Sequence, residues 1–356
     1  MTDKYGIDSH KLNYHLGRVC AWQAGENIYP IYAEFSPSGA CNHRCVYCGL
    51  DFMQYKPRFH DAAIITKRIA EMGRLGLKSI MFAGEGEPFL HPEMPRIANA
   101  AKAAGVDVAF TTNAVLFTPD KCDACLKSIT WLKVSINAGT PETYAKIHGA
   151  RAEDFNRVFE NMAYAVRLKK KKKLSCALGM QLVLLPENRR EVGLLAAKAK
   201  KIGLDYLVVK PYSQHPKSKT KIYSGVKYSG GEQLAGSLEK YNGGGFSVIV
   251  RLNTMKKWDQ ADKGYKRCLA LPFWTYVDSA ADVWGCSMFL GDDKFRYGNL
   301  YKNTFREIWE GSRRKKSLAY VGNRLDASHC RVNCRMDEIN RYLWRLQTPP
   351  EHVNFI

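Results

Sequence analysis

Residues 39–52 read GACNHRCVYCGLDF, three cysteines (Cys41, Cys45 and Cys48) in one short loop with glycine on either side. Three thiols are an awkward number, because a disulfide takes two and a structural zinc takes four. The loop directly follows IYAEF, a short apolar run of strand-forming residues. The thiols therefore stand at the C-terminal end of a strand, the end that carries the active site in α/β barrels.

Outward from this loop the chain keeps a regular rhythm. The runs KSIMF, VDVAFTT, WLKVSI, LGMQLVLL and YLVVK follow as further strands. Between them DAAIITKRIAEMGRLG, PEMPRIANAAKAAG, EDFNRVFENMAYAVRLKK and NRREVGLLAAKAKKIG carry apolar residues at helical spacing, most with glycine after the last turn. Strand and helix alternate about six times between Ile31 and Lys210, which predicts a parallel α/β domain, a partial (β/α)6 TIM-like barrel over 31–215. Residues 1–30 form an N-terminal extension. After Pro211 the text changes to SQHPKSKTKIYSGVKYSGGEQ and YNGGGF, which reads as a linker with a weak helix over 216–245. A small C-terminal α+β unit is expected over 246–356, carrying Cys268, Cys286, Cys330 and Cys334.

Composition narrows the function classes. A chain of 356 residues suits two packed units with a full apolar core. The start, MTDKYGIDSHKLNYHLGR, has no signal-peptide h-region, and no apolar run reaches the roughly 20 residues that span a bilayer. A soluble, cytoplasmic protein without a membrane span is expected. Eleven cysteines, an odd number without an export signal, argue for reduced thiols, whose clusters mean metal. The formal net charge of +20 implies acidic partners such as phosphorylated substrates, nucleic acid or anionic lipid, without choosing among them.

Thiolates bind soft iron, and cysteines separated by three and then two residues can wrap three corners of a [4Fe-4S] cube, leaving one iron open. A zinc loop or buried core thiols is the competing reading. The spacing resembles the radical S-adenosylmethionine (SAM) superfamily. The resemblance implies that the open iron chelates the amino and carboxylate groups of SAM, whose reductive cleavage gives a 5′-deoxyadenosyl radical, and that Tyr47 packs near the adenine. FAGEGEPFLHPEM, which contains Gly84, is similar to the family's Gly-Gly-Glu-Pro segment, which receives the SAM ammonium. Its carboxylate is Glu87 or Glu85, because Glu85 stands between the glycines. In TTNAVL and KVSINAG, Thr112, Asn113, Ser135 and Asn137 fall where the family has polar side chains for ribose and carboxylate oxygens, although turn or capping roles compete. Arg151 resembles the cation that meets the SAM carboxylate, and Leu184 and Leu185 the segment whose backbone contacts adenine.

The second cysteine group, with its GCS, GNL and FREIW segments and HCRVNC, resembles the auxiliary-cluster region of SPASM and twitch proteins. Cys268, Cys286, Cys330 and Cys334 are too few for two clusters, so the resemblance implies one auxiliary [4Fe-4S] cluster, fully ligated and able to move an electron. Zinc on the same four thiolates is the alternative. Cys20, Cys122, Cys125 and Cys176 are expected to be small buried hydrophobes.

RLKKKKKLS and GSRRKK read as solvated faces. Lys210 ends the sixth strand at the catalytic mouth, with Tyr212 and His215 close behind, as candidates for substrate anchoring or proton transfer. The expectation is a radical SAM enzyme abstracting hydrogen from a small anionic substrate, sugar or nucleotide-sugar, with dehydrogenation, epimerisation or deoxygenation as the outcome. A reductant such as flavodoxin or ferredoxin would serve it, and nucleic acid is not expected as a partner. No peptide-leader-binding domain is evident before Ile31, which makes modification of a ribosomal peptide the second reading. A non-enzymatic iron-sulfur or zinc protein that binds RNA is the third.

Overall fold

Each of the six apolar runs is a strand: β1 Tyr32–Phe35, β2 Ser79–Phe82, β3 Asp107–Thr112, β4 Ile129–Ser135, β5 Ala177–Leu184 and β6 Tyr206–Pro211. Neighbours pair in parallel in that order. Helices including Ala62–Arg74, Met94–Ala103, Pro119–Cys125, Glu153–Lys171 and Val192–Ile202 form the crossovers. The computed structural model describes residues 3–260 and 263–355.

The sheet does not stop at six strands. β7 (Ser247–Val250) adds in parallel to β6, and β8 (Trp274–Val277) adds in parallel to β1 on the opposite edge. β9 (Asp282–Trp284) and β10 (Arg296–Asn299) continue from β8 as antiparallel strands, giving the order β10-β9-β8-β1-β2-β3-β4-β5-β6-β7. Residues beyond the barrel segment thus extend its sheet on both edges. Residues 247–250 complete one edge of the barrel sheet, and the cysteine-bearing segment is welded to the other. The physical reason is that both edges of a six-stranded open sheet leave backbone N–H and C=O groups to be paired.

Alternation along each strand sorts the side chains into two layers. Phe35, Phe82, Phe110, Leu132, Val134, Met180, Leu182 and Val209 pack with the helices in the main core. The opposite face carries Tyr32, Glu34, Met81, Ala109, Trp131, Lys133, Ser135, Gln181, Val208 and Lys210. Laid flat, β1 and β6 would be about 24 Å apart at roughly 4.8 Å per strand. Glu34 on β1 nonetheless interacts electrostatically with Lys210 on β6, so the sheet curls and this second face becomes the barrel interior.

The N-terminal extension closes the lower end of that interior. Tyr5 and Ile7 pack on Tyr206, Val208 and Ile249, with the Tyr5 and Tyr206 rings 5.0 Å apart. Asp8 accepts from Arg251 Nε at 3.2 Å and from Thr254 Oγ1 at 2.7 Å. Two surface expectations are corrected. Arg314 of GSRRKK is buried over the Trp309 ring, 4.0 Å from its centroid, and donates to Asn27 Oδ1. Cys20 is exposed, whereas Cys122, Cys125 and Cys176 are buried. No helix among the described residues is long and apolar enough to cross a membrane.

Candidate functional site

The cysteine loop leaves β1 and is pinned from three directions. Arg44 N donates to His148 O at 2.9 Å and Val46 N to Ile147 O at 3.0 Å, which ties the loop to the end of the helix Pro141–His148. Glu87 N donates to Ala40 O at 2.9 Å. Gly86 lies so close that an added Cβ would stand 2.1 Å from the same oxygen, and Gly84 has φ +101° and presses on Ser36 Oγ. Both glycines of the GEGE turn are needed, one for close approach and one for a left-handed backbone. The third support comes from the segment read as a linker. Ser218 Oγ donates to Cys48 O at 3.0 Å, and the Asp51 carboxylate accepts from Lys219 N, also at 3.0 Å.

Burial pushes the Cys41 thiol up to about 12, with the charge of Glu87 adding to the shift, and it raises Cys45 and Cys48 as well. Such thiols keep their protons until a metal displaces them. Among the described residues, the only trio of candidate ligand atoms all within 4.8 Å is His43, Cys45 and His148. Three thiols are one short of a structural zinc site, whereas a cubane with one open iron takes three. His148, buried beside the loop, has Nδ1 3.3 Å from Cys45 Sγ and Nε2 2.9 Å from Ile136 O. Sequence reading missed it, because HG at a helix end looks like an ordinary C-cap.

The two glutamates of the GEGE turn part company. Glu87 Oε1 accepts from Phe89 N at 3.0 Å and Thr112 Oγ1 at 2.5 Å, and Oε2 accepts from Asn113 N at 2.7 Å. Asn113 Nδ2 then donates to Asn42 Oδ1 in the cysteine loop at 2.8 Å. Glu85 faces away and accepts from Ser279 N and Oγ at 2.9 and 3.0 Å, with Arg58 at 3.7 Å. It fastens the barrel to the turn after β8.

Asn137, at φ +49°, donates to the Tyr47 hydroxyl and accepts from Val183 N at 2.7 Å. Ser135 is half-buried on the interior face, and Arg151 is exposed. The expected backbone contacts at Leu184 and Leu185 meet competition. Leu184 O accepts from the Tyr228 hydroxyl at 2.9 Å, and Leu185 N donates to Asn188 Oδ1 at 2.9 Å. Asn188, unnoticed in the sequence, also donates to Asn137 O and Val183 O and holds this turn together.

Cys268, Cys286, Cys330 and Cys334 line one cavity, walled by Tyr265, Leu271, Met288, Phe295 and Asn340. Burial raises all four thiols, Cys268 to about 12. Three N–H groups already point at sulfur: Met288 N to Cys286 and Met336 N to Cys334 at 3.4 Å, and Asn340 Nδ2 to Cys268 at 3.6 Å. Four thiolates around one cavity suffice to close a single cubane.

Residues 35–199 match the radical SAM superfamily, and residues 268–335 match the SPASM iron-sulfur cluster-binding domain. The chain is a radical SAM protein of the SPASM/twitch type. It binds a [4Fe-4S] cluster and SAM, and its C-terminal domain is an auxiliary iron-sulfur domain. GTP 3′,8-cyclase of Chlorobaculum tepidum is 39% identical over 87 residues, covering 24% of this chain and 26% of that protein. An S-adenosylmethionine-dependent nucleotide dehydratase of Lacinutrix mariniflava is 30% identical over 115 residues, covering 30% and 23% respectively. The chain thus spans about a quarter of the length of these curated relatives. SuiB of Streptococcus suis, bound to precursor peptide SuiA, shares the fold with TM-score 0.65 and 17% identity over 88% of this chain and 73% of that one.

In this radical SAM protein the three residues expected at the catalytic mouth separate. Lys210 faces the interior from the end of β6. Tyr212 is buried, donates to Gln214 Oε1 at 3.0 Å and packs against Tyr223 and Trp258. His215 accepts from Lys217 N at Nδ1 and approaches Ser287 O with Nε2, while its ring stacks on Phe52 at 5.0 Å. Both of its nitrogens thus face backbone groups of the protein. Lys133, on β4, was missed; it lies between apolar neighbours in WLKVSI and reads as a stray surface lysine.

Proposed function

We propose that this radical SAM enzyme abstracts hydrogen from carbon in a phosphorylated nucleotide or nucleotide-sugar. One observation carries the reading. Lys133 and Lys210 face the interior near the C-terminal ends of their strands, and the carboxylate that acts on both, Glu34, is already paired with Arg335 at 2.9 Å. Half-buried cations that must share one counter-ion are costly to hold together, and an anionic substrate relieves that cost. The names of the relatives, a GTP cyclase and a nucleotide dehydratase, support the same substrate chemistry.

Cys41, Cys45 and Cys48 hold the catalytic cluster, and Cys268, Cys286, Cys330 and Cys334 hold one auxiliary cubane. The cluster and SAM together supply a 5′-deoxyadenosyl radical. Glu87 receives the SAM ammonium, since Oε2 has accepted one hydrogen bond and keeps a second lone pair. Burial pushes the Glu87 carboxyl up, a bias that an arriving cation reverses. Tyr47 and Asn137 form the wall against which the nucleoside rests, and Lys210 anchors the substrate.

The test is to incubate reduced enzyme with SAM and candidate substrates deuterated on the sugar, then read deuterium in 5′-deoxyadenosine by mass spectrometry. Label transferred from a nucleotide or nucleotide-sugar supports the proposal. Label transferred only from a deuterated peptide α-carbon overturns it in favour of peptide modification.

A further inference from the structure

The segment that supplies Cys330 and Cys334 reads CRVNCR, so each ligand is followed at once by an arginine. Both arginines turn from the auxiliary cavity toward the barrel. Arg331 donates from Nε to Ser213 Oγ and from its terminal nitrogen to Ser213 O, each at 2.6 Å, on the loop that follows Lys210 and β6. Arg335 pairs with Glu34 on β1 at 2.9 Å and donates to the Tyr32 hydroxyl at 3.1 Å. While making these contacts its side chain stays 43% accessible, open to a ligand. Lys210 interacts electrostatically with Lys133, Arg251, Arg331 and Arg335, so their charges lie within reach of one another at this end of the barrel.

Arg251 is answered by Asp8. The other four cations, Lys133, Lys210, Arg331 and Arg335, face the single carboxylate Glu34, an excess of three positive charges. A lone carboxylate on a ligand would leave two of those charges uncompensated. A phosphoryl chain carries enough negative charge to match them, and arginine forks fit its oxygens in pairs.

We propose that Lys133, Lys210, Arg331 and Arg335 form a phosphoryl-binding well inside the barrel, and that loading the auxiliary cluster completes it. The inference rests on the nucleotide reading above and extends it. The auxiliary cluster orders the segment that carries two of the four cations, and so gates substrate binding as well as any electron transfer.

The experiment is anaerobic calorimetric titration of the reconstituted holoenzyme, with SAM present, using inorganic pyrophosphate as the probe. One site per chain is expected. Lys210→Met and Arg335→Met each weaken it about tenfold or more, and Arg335→Lys weakens it less. Lys171→Met, on the exposed end of its helix, serves as the charge control and leaves it unchanged. Iron content and circular dichroism qualify each variant as folded. Absent binding, or equal binding across these variants, overturns the well. Cys286→Ala removes an auxiliary ligand without altering any residue of the well. Weakened pyrophosphate binding is expected there, and unchanged affinity with the auxiliary iron gone overturns the gating. If pyrophosphate behaves as expected but no nucleotide transfers deuterium to 5′-deoxyadenosine, the well stands and the substrate reading falls. If nucleotides transfer label equally well in Lys210→Met and Arg335→Met, the substrate reading stands and the well falls.

Discussion

Arg335, next in sequence to the auxiliary ligand Cys334, forms a 2.9 Å ion pair with Glu34 on the strand that runs into the catalytic cysteine loop. With β8 paired to β1 and Glu85 bound to Ser279, it makes the auxiliary domain part of the barrel wall. The two cysteine groups therefore belong to one structural unit, and a change at either is expected to be felt at the other.

Iron stoichiometry separates the two groups. Anaerobic reconstitution should give about eight irons per chain, and the triple change Cys41→Ala, Cys45→Ala, Cys48→Ala about four, with loss of SAM cleavage. Residual 5′-deoxyadenosine from the triple variant would remove these cysteines from the catalytic role.

The two glutamates of the GEGE turn should respond differently. Glu87→Gln weakens SAM binding, measured by calorimetry. Glu85→Gln leaves SAM binding in place and lowers stability by about 1–3 kcal/mol, because the buried Ser279 N–H and hydroxyl lose a charged acceptor. The reverse pattern would exchange their roles.

Lys133 gives a pH signature. Burial first, then Arg335 and Arg251, pull its ammonium down to about 7, against a partial restoring effect of Glu34. A depressed lysine disfavours the fold wherever it must stay protonated. The penalty is complete below about pH 7, fades as pH rises, and is gone above the ordinary lysine value of 10.5. Lys133→Met should therefore raise the melting temperature at pH 6.5 while weakening pyrophosphate binding, and the thermal gain should shrink toward pH 10. Thermal scans across that range check it; a gain independent of pH would assign the effect to packing alone.

Asn340 reaches Cys268 through Nδ2 while its Oδ1 accepts from Leu269 N and Ala270 N. Hydrogen bonds to cluster sulfur stabilise the reduced, more negative state. Asn340→Leu should lower the auxiliary midpoint potential, read by redox titration with paramagnetic resonance, and leave the catalytic cluster's signal unchanged. An unaltered auxiliary potential would reduce Asn340 to a backbone brace.

Much of this was legible in the sequence because it is written locally. Strands buried on both faces read as continuous apolar runs, and metal ligands come as closely spaced cysteines, so β1–β6 and both cysteine groups stand out. What was not legible depends on distance in the chain. β7 and β8 carry no local mark of the edge they join. Residues 216–220 have the Ser and Lys content of a linker, yet they strap the cysteine loop through Ser218 and Asp51. His148, Asn188 and Lys133 are ordinary residues locally, and only folding brings them to Cys45, to Asn137 and into the barrel. Glu85 and Glu87 show the same limit at the smallest scale, since two carboxylates in one turn differ only in the neighbours they meet.

The central claim, radical chemistry on a phosphorylated substrate held by interior cations, is tested most directly by the rate of 5′-deoxyadenosine formation. Reduced holoenzyme with SAM would be given a panel of nucleotides and nucleotide-sugars, the matching dephosphorylated nucleosides, and candidate peptides. The account predicts stimulation above the substrate-free rate by a phosphorylated member, with loss of that stimulation in its nucleoside and in Lys210→Met. Stimulation by a peptide alone, or equal stimulation by nucleoside and nucleotide, would contradict it.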